Sequence, residues 1–193
     1  MQLSRSYIVD AALEILDTYG FADMTMRRVA TQLGVAPGAL YWHISNKQEL
    51  VAAIAEAIIE PIGVRLATTP LSPDELCTSL REFLLHHRDG AEVVAAAMSQ
   101  PQSAVRLKIF EAVTSSISEY FDTQILSPSD IEAAATGLTH LTVGAAALHQ
   151  AGLQFAEATG EEFDADNEWQ SQNAVRLLLA GLRMKELESQ NGK

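Results

Sequence analysis

The side chains that could bind a metal or attack a substrate are present in this chain, but their spacing gives them little to do together. His140 and His149 fall on one helical segment, about 180° apart around it, so they cannot share an ion within a chain. His86 and His87 are adjacent and point about 100° apart. No HxxxH or HxxE spacing occurs and Cys77 is the single cysteine, so no metal and no cofactor is assigned. Cys77 sits in a helical pattern, where a buried small hydrophobe is expected rather than a reactive thiol. There is no GxSxG, no P-loop and no GxGxxG, and most carboxylates fall on polar helix faces, so an enzyme is not expected.

The spacing does support contact with phosphate. All four acids of residues 1–47 (Asp10, Glu14, Asp17, Asp23) precede Met24, so the stretch from Met24 to Lys47 carries only basic charge, from Arg27, Arg28 and Lys47 beside His43. Residues 1–47 balance four basic against four acidic groups, whereas residues 48–193 hold nine against 21 and account for the whole net charge of −12. A surface that meets a polyanion must therefore lie in the first segment, and the acidic remainder discourages non-specific adhesion. Tyr41, Trp42 and Lys47 add phenol, indole and ammonium donors to this stretch.

Nearly every segment that must position these groups reads as helix, and no run alternates with period two. Helix one spans about Ser4 to Tyr19 with Gly20 as its stop, and a short second helix runs from a Thr25 cap to Gly34. Pro37 opens a third, ending near His43. Asn46 caps a long fourth helix that Pro61 is expected to kink or end. Ser72-Pro73-Asp74-Glu75 starts a helix to about His87, Gly90 and Pro101 delimit a short one, and Val105 to Phe121 forms the next. Ser127 caps the longest run, about Asp130 to Ala158, and a last helix spans about Glu168 to Leu187. The fold class is all-α, a three-helix N-terminal domain over residues 1–47 with a helical body over 48–193.

Two short helices joined by a tight turn at Gly34 form a helix-turn-helix, with Val29, Leu33, Val35 and Leu40 setting the crossing angle. The flank Tyr41-Trp42-His43-Ile44-Ser45-Asn46-Lys47 resembles the TetR family of transcriptional regulators, and the resemblance is strong from Ile8 to about Ile54. It implies that Thr25 caps a helix and touches phosphate and that Arg27 reaches a base edge. Pro37, Gly38 and Ala39 then fall where bases are read, and Tyr41, Trp42, His43 and Lys47 where the backbone is held. Pro-Gly-Ala offers no side-chain hydrogen bonds, so specificity should rest on Arg27, thymine-methyl contact and DNA shape. Of the two aromatics, Tyr41 is the one expected to be partly buried.

Leu84 to Ala91 and His140 to Gly144 are similar to the regulatory domain of the family's tetracycline repressors, but the ligands for a magnesium–drug chelate are missing. Val94 and Leu148 stand where the metal ligands would be, and Gly63 and Leu76 where polar drug contacts would be. The expected cavity is instead lined by Phe83, Met98, Ile109, Phe110 and Val113, with Gln100, Thr139 and His140 as polar anchors. Such a set also describes a plain helical core. Glu82 and Glu111 leave room for a cationic compound. Gly137, Leu141, Gly144, Leu148 and Ala151 make a small-residue seam on the long helix, a reason to expect the close approach of another helix. The resemblance makes that the long helix of a second subunit, with Val175, Leu178, Leu179 and Leu182 completing the interface; a glycine-lined ligand cavity is the rival. No run reaches the roughly 18 apolar residues of a membrane helix and no export segment is visible, so a cytoplasmic location is expected. The reading is a homodimeric repressor that leaves a near-palindromic double-stranded operator when a small apolar or amphipathic inducer binds. A ligand-independent DNA-binding protein and a metal-responsive regulator remain the alternatives.

Overall fold

The computed structural model describes residues 3–163 and 167–191 of the chain. Among them are nine α-helices and no strand: α1 Arg5–Tyr19, α2 Met26–Gln32, α3 Pro37–Leu40, α4 Lys47–Thr68, α5 Pro73–His86, α6 Gly90–Met98, α7 Ala104–Tyr120, α8 Pro128–Thr159 and α9 Asn167–Asn191. Most starts are set by side-chain caps that satisfy the first free N–H groups of the helix. The Ser4 hydroxyl accepts from Tyr7 N–H at 3.2 Å and the Thr25 hydroxyl from Arg28 N–H at 3.2 Å. Asn46 Oδ1 accepts from Glu49 N–H at 2.8 Å, while the Glu49 carboxylate accepts from Ser45 N–H at 2.7 Å. That reciprocal arrangement anchors the start of α4 under the α3 turn.

Two expectations need correction. Pro61 does not end α4, which continues to Thr68. Its missing N–H costs one hydrogen bond to the Ala57 carbonyl. The burial of Ile54, Ile58, Ile59 and Ile62 around it supplies apolar stabilisation that keeps the helix in register. The third helix stops at Leu40 rather than near His43, and Leu40 O accepts from both His43 N–H and Ile44 N–H at 2.9 Å. That turn swings Tyr41, Trp42 and His43 outward and returns Ile44 to the core.

One apolar core runs from Ile8 to Leu182, with Ile15, Leu16, Leu40, Ile44, Leu50 and Ile54 fully buried at the N-terminal end and Leu76, Leu80, Leu84 and Ile117 in the body. α4 packs on α1 and also on α5, α6 and α7, while α8 packs on α5, α6, α7 and α9. The small N-terminal unit thus rides on a helix rooted in the body.

A second support fixes its orientation. The Asp17 carboxylate of α1 accepts from His87 Nδ1 at 3.0 Å and from Arg88 N–H at 3.1 Å. Asp89 Oδ2 accepts from Phe21 N–H at 2.7 Å, and its other oxygen accepts from Gln154 Nε2 on α8. Gln150, one turn earlier on α8, accepts from Ala91 N–H at 3.0 Å and donates to His87 O at 2.7 Å. A polar joint therefore links α8, the α5–α6 loop and the α1–α2 turn. Gly20 has φ +84° there, and an added Cβ would meet Asp89 Oδ2 at 2.8 Å, so only glycine fits.

Candidate nucleic-acid interface

The three N-terminal helices bury one face and leave the other bare. Val29, Ala30, Leu40 and Ile44 pack inward. On the opposite side Thr25, Arg27, Pro37, Gly38, Tyr41, Trp42, His43 and Lys47 are exposed, and Ala39 is half-buried. The turn between α2 and α3 is held by Val35 N–H donating to Ala30 O at 3.0 Å, with Gly34 at φ +65°. Every residue assigned to this surface from the sequence is brought to it. Trp42 is 89% exposed, an unfavourable place for an indole in the free chain and one that suits contact with a partner surface. Tyr41, the one of the two expected to be partly buried, is the less exposed at 52%, and the α3 turn directs both aromatics away from the core.

The basic residues are not equivalent. Arg28 is bound to Asp23 at 3.0 Å and lies over the Tyr19 ring at 4.1 Å, so its charge is committed inside the chain. Arg5 is paired with Glu49. Arg27 makes no ion pair with a described residue, and Lys47 rests only over the Phe21 ring at 5.3 Å. The free cations therefore sit on the bare face. An α-helix presented this way, with short N-terminal side chains and phosphate donors on either flank, suits the major groove of duplex DNA.

Comparison with known proteins agrees. Residues 8–54 match the model of bacterial regulatory proteins of the tetR family. The chain is 32% identical over 169 residues to tetracycline repressor protein class C of Escherichia coli, covering 83% of this chain and 73% of the relative. The chain belongs to the TetR family. The crystal structure of BioQ from Mycobacterium smegmatis superposes with a TM-score of 0.82 at 36% identity, covering 95% of this chain and 99% of that one. A structure of BioQ bound to its natural double-stranded DNA operator superposes with a TM-score of 0.76 at 37% identity, covering 94% and 98%. This TetR-family chain is a DNA-binding transcriptional regulator, not an enzyme.

The residues expected to line a ligand cavity differ in their burial. Met98, Ile109, Val113 and Thr139 are buried, Phe83, Gln100 and Phe110 are half-buried, and His140 is exposed. Gln100 Nε2 donates to Gln48 O at 3.1 Å, which ties the turn after α6 to the start of α4. Ile109 borders a groove on the outer side between α1, α4 and α7. The exposed surfaces of a TetR-family body were hard to separate from its core by period alone. A second, smaller space of about 270 Å³ lies between α5, α8 and α9. Cys77 is buried as expected, and burial pushes its thiol up to about 11. Among the described residues no group of His, Cys, Asp and Glu is placed to hold a metal ion, and no helix is long and apolar enough to cross a membrane.

The residues assigned to a subunit interface divide. Leu182 is buried and Leu178 half-buried within the chain, where an added Cβ on Gly137 would meet Leu178 Cδ1 at 2.8 Å. Gly137 is therefore small because α9 of the same chain crosses it. Gly144 has open space around it, Leu148 is 70% exposed and Leu141 is half-buried. The exposed apolar side chains of this region also include Phe155, Leu177, Met184 and Leu187, which the sequence reading left out. Leu177 and Met184 repeat at heptad spacing, the available signal, but the inward stripe of Val175, Leu178 and Leu182 is stronger. The polar joint of Asp17, His87, Asp89 and Gln154 was likewise missed. Asp89 adopts φ +54°, and the Asp-Gly pair that begins α6 was its one legible sign.

Proposed function

We propose that this TetR-family regulator is a homodimeric, cytoplasmic repressor that reads a near-palindromic operator and releases it when a small apolar or amphipathic molecule binds. Residues 1–47 act as the reading head, and residues 48–193 as the sensing and dimerising body. The observation that carries the reading is the bare face of Thr25, Arg27, Tyr41, Trp42, His43 and Lys47 on a head whose other two basic residues, Arg5 and Arg28, are paired with Glu49 and Asp23. Lys47 and the aromatic donors hold phosphate, and Arg27 with the Pro37-Gly38-Ala39 edge meets the bases.

Dimerisation is supported by Leu148, Phe155, Leu177 and Met184, large apolar side chains left exposed on the outer faces of α8 and α9. Two heads related by a twofold axis then address half-sites about one helical turn apart. Ligand control is supported by Thr139, whose hydroxyl is buried on α8 with no hydrogen-bond partner. An unsatisfied buried hydroxyl costs about 1–3 kcal/mol, which a ligand acceptor would recover. With Val94 and Leu148 replacing metal ligands, a magnesium–tetracycline chelate is not the inducer.

The test is selection of bound duplexes from a random pool, footprinting of the winner, and release by lipophilic compounds beside tetracycline with magnesium. A palindromic footprint, released by a lipophilic compound alone, is expected. A single half-site, operator binding that no compound alters, or magnesium-dependent release by tetracycline at micromolar levels contradicts the corresponding part of the reading.

A further inference from the structure

Three helices of the body meet around short side chains. Thr78 and Ser79 on α5, Thr142 on α8 and Ser171 on α9 leave a space of about 270 Å³ between them, where packed interiors close all but water-sized gaps. That is the small end of the range for ligand pockets. Leu141 and Val175 give it an apolar wall. Thr142, in the same lining, is 4% exposed, and its hydroxyl has no hydrogen-bond partner beyond a weak contact with the Cys77 thiol. A buried hydroxyl in that condition favours a ligand oxygen that accepts from it.

Most charges at this space are already committed. Arg65 pairs with Glu82 at 3.7 Å, the Glu75 carboxylate accepts from Ser72 N–H at 2.9 Å, and Arg81 is engaged. Asp74 in the first turn of α5 and Arg176 on α9 remain, and neither forms an ion pair with a described residue. One uncommitted carboxylate, one uncommitted guanidinium, a buried hydroxyl and an apolar wall complement a zwitterion with a hydrocarbon tail.

We infer that this space binds a small zwitterion, an α-amino acid with an apolar side chain, and that the occupant ties α9 to α5. Its ammonium faces Asp74, its carboxylate accepts from the Arg176 guanidinium and the Thr142 hydroxyl, and its side chain lies on Leu141 and Val175. Phe83, Met98, Ile109, Phe110, Val113 and Thr139, the residues of the expected effector cavity, do not line it. The space borders α5 from Asp74 to Glu82, whereas the joint that carries the head uses His87 and Asp89 beyond the end of that helix. The occupant is therefore a second ligand, which stabilises the body without releasing operator.

The probe is L-leucine, titrated calorimetrically into the full chain. The controls are 4-methylpentanoate, which lacks the ammonium, 3-methylbutylamine, which lacks the carboxylate, and glycine, which lacks the side chain. Leucine should bind about tenfold or more tighter than each control and raise the thermal midpoint. Asp74→Asn should weaken leucine about tenfold and erase its advantage over 4-methylpentanoate, while Arg176→Gln should erase its advantage over 3-methylbutylamine. Thr142→Val keeps the side-chain shape and removes the unpaired hydroxyl, so it should weaken leucine while keeping or raising the midpoint of the free chain. Operator affinity should not change at saturating leucine. No binding, equal binding of all four probes, or wild-type binding by the folded Asp74→Asn and Arg176→Gln proteins overturns the site. Specific binding of leucine that lowers operator affinity overturns its separation from the inducer.

Discussion

Replacing Asp89 with alanine separates the two supports that hold the reading head on the body. Asp89 is nearly buried, adopts φ +54°, and accepts hydrogen bonds from Phe21 N–H on the head side and Gln154 on the α8 side. A hydrogen bond to a charged group contributes about 1.5–3 kcal/mol, and a non-glycine residue in the left-handed region without a side-chain acceptor costs about 1 kcal/mol more. Asp89→Ala removes both bonds and leaves the Phe21 N–H without its acceptor, so even at the low end of these ranges the loss should be about 4 kcal/mol. For a chain of this size that is a fall of about 8–16 °C in the thermal midpoint. Asp89→Asn retains one acceptor and tolerates the backbone, so it should lose about 1 kcal/mol. Circular dichroism melts of both variants, with Gln154→Ala as the far-side control, measure this directly. At 25 °C the folded Asp89→Ala protein should also bind operator more weakly, because a loosened head must be ordered on binding. A midpoint shift below about 2 °C for alanine, or asparagine as damaging as alanine, would refute the role of these bonds.

Other outcomes follow from single sites. Ser45 N–H and the Arg5 guanidinium hold the Glu49 carboxyl at about 2 against an ordinary 4.5. Its contribution is therefore complete above about pH 4.5 and lost as the pH falls toward 2; discounted for exposure it is about 1 kcal/mol. Wild type should lose that margin over Glu49→Gln across this interval in acid melts, and a constant difference would contradict it. Gly144→Leu should give monomers by light scattering with an unchanged fold, since the position is open within the chain. Gly137→Leu should instead lower the thermal midpoint, because Leu178 lies in the way; the reverse pattern would exchange their roles. Cys77, buried with its thiol held up to about 11, should resist iodoacetamide at pH 8 in the folded chain and react fully in denaturant.

Helix starts were the most legible part of the fold, because Ser4, Thr25, Asn46, Ser72 and Ser127 are short polar side chains ahead of apolar runs, and each begins a helix here. Helix ends were less so. At Pro61 the apolar stripe of Ile54, Ile58 and Ile62 outweighed a missing hydrogen bond, and tertiary burial of that kind is not visible in local propensity. The DNA-facing surface was readable because its donors cluster in a short acid-free stretch. The body was harder. Phe110 and Met98 have the composition of a pocket lining and equally of a filled core, since apolar periodicity does not distinguish the two. Gly137 and Gly144 look alike in the seam, but one faces α9 of its own chain and the other open space. The polar joint around Asp89 brings together residues far apart in sequence, and no local pattern announces such a meeting.

The central claim, that the bare face from Thr25 to Lys47 reads duplex DNA, is tested most directly by fluorescence-anisotropy titrations of wild type, Lys47→Ala and Arg27→Ala. Each is measured with operator and random duplex over a series of salt concentrations. Lys47→Ala should weaken both duplexes about equally and reduce the salt slope by about one, and Arg27→Ala should narrow the gap between operator and random sequence. Wild-type affinity and salt dependence in both variants would contradict the assignment of this face to DNA.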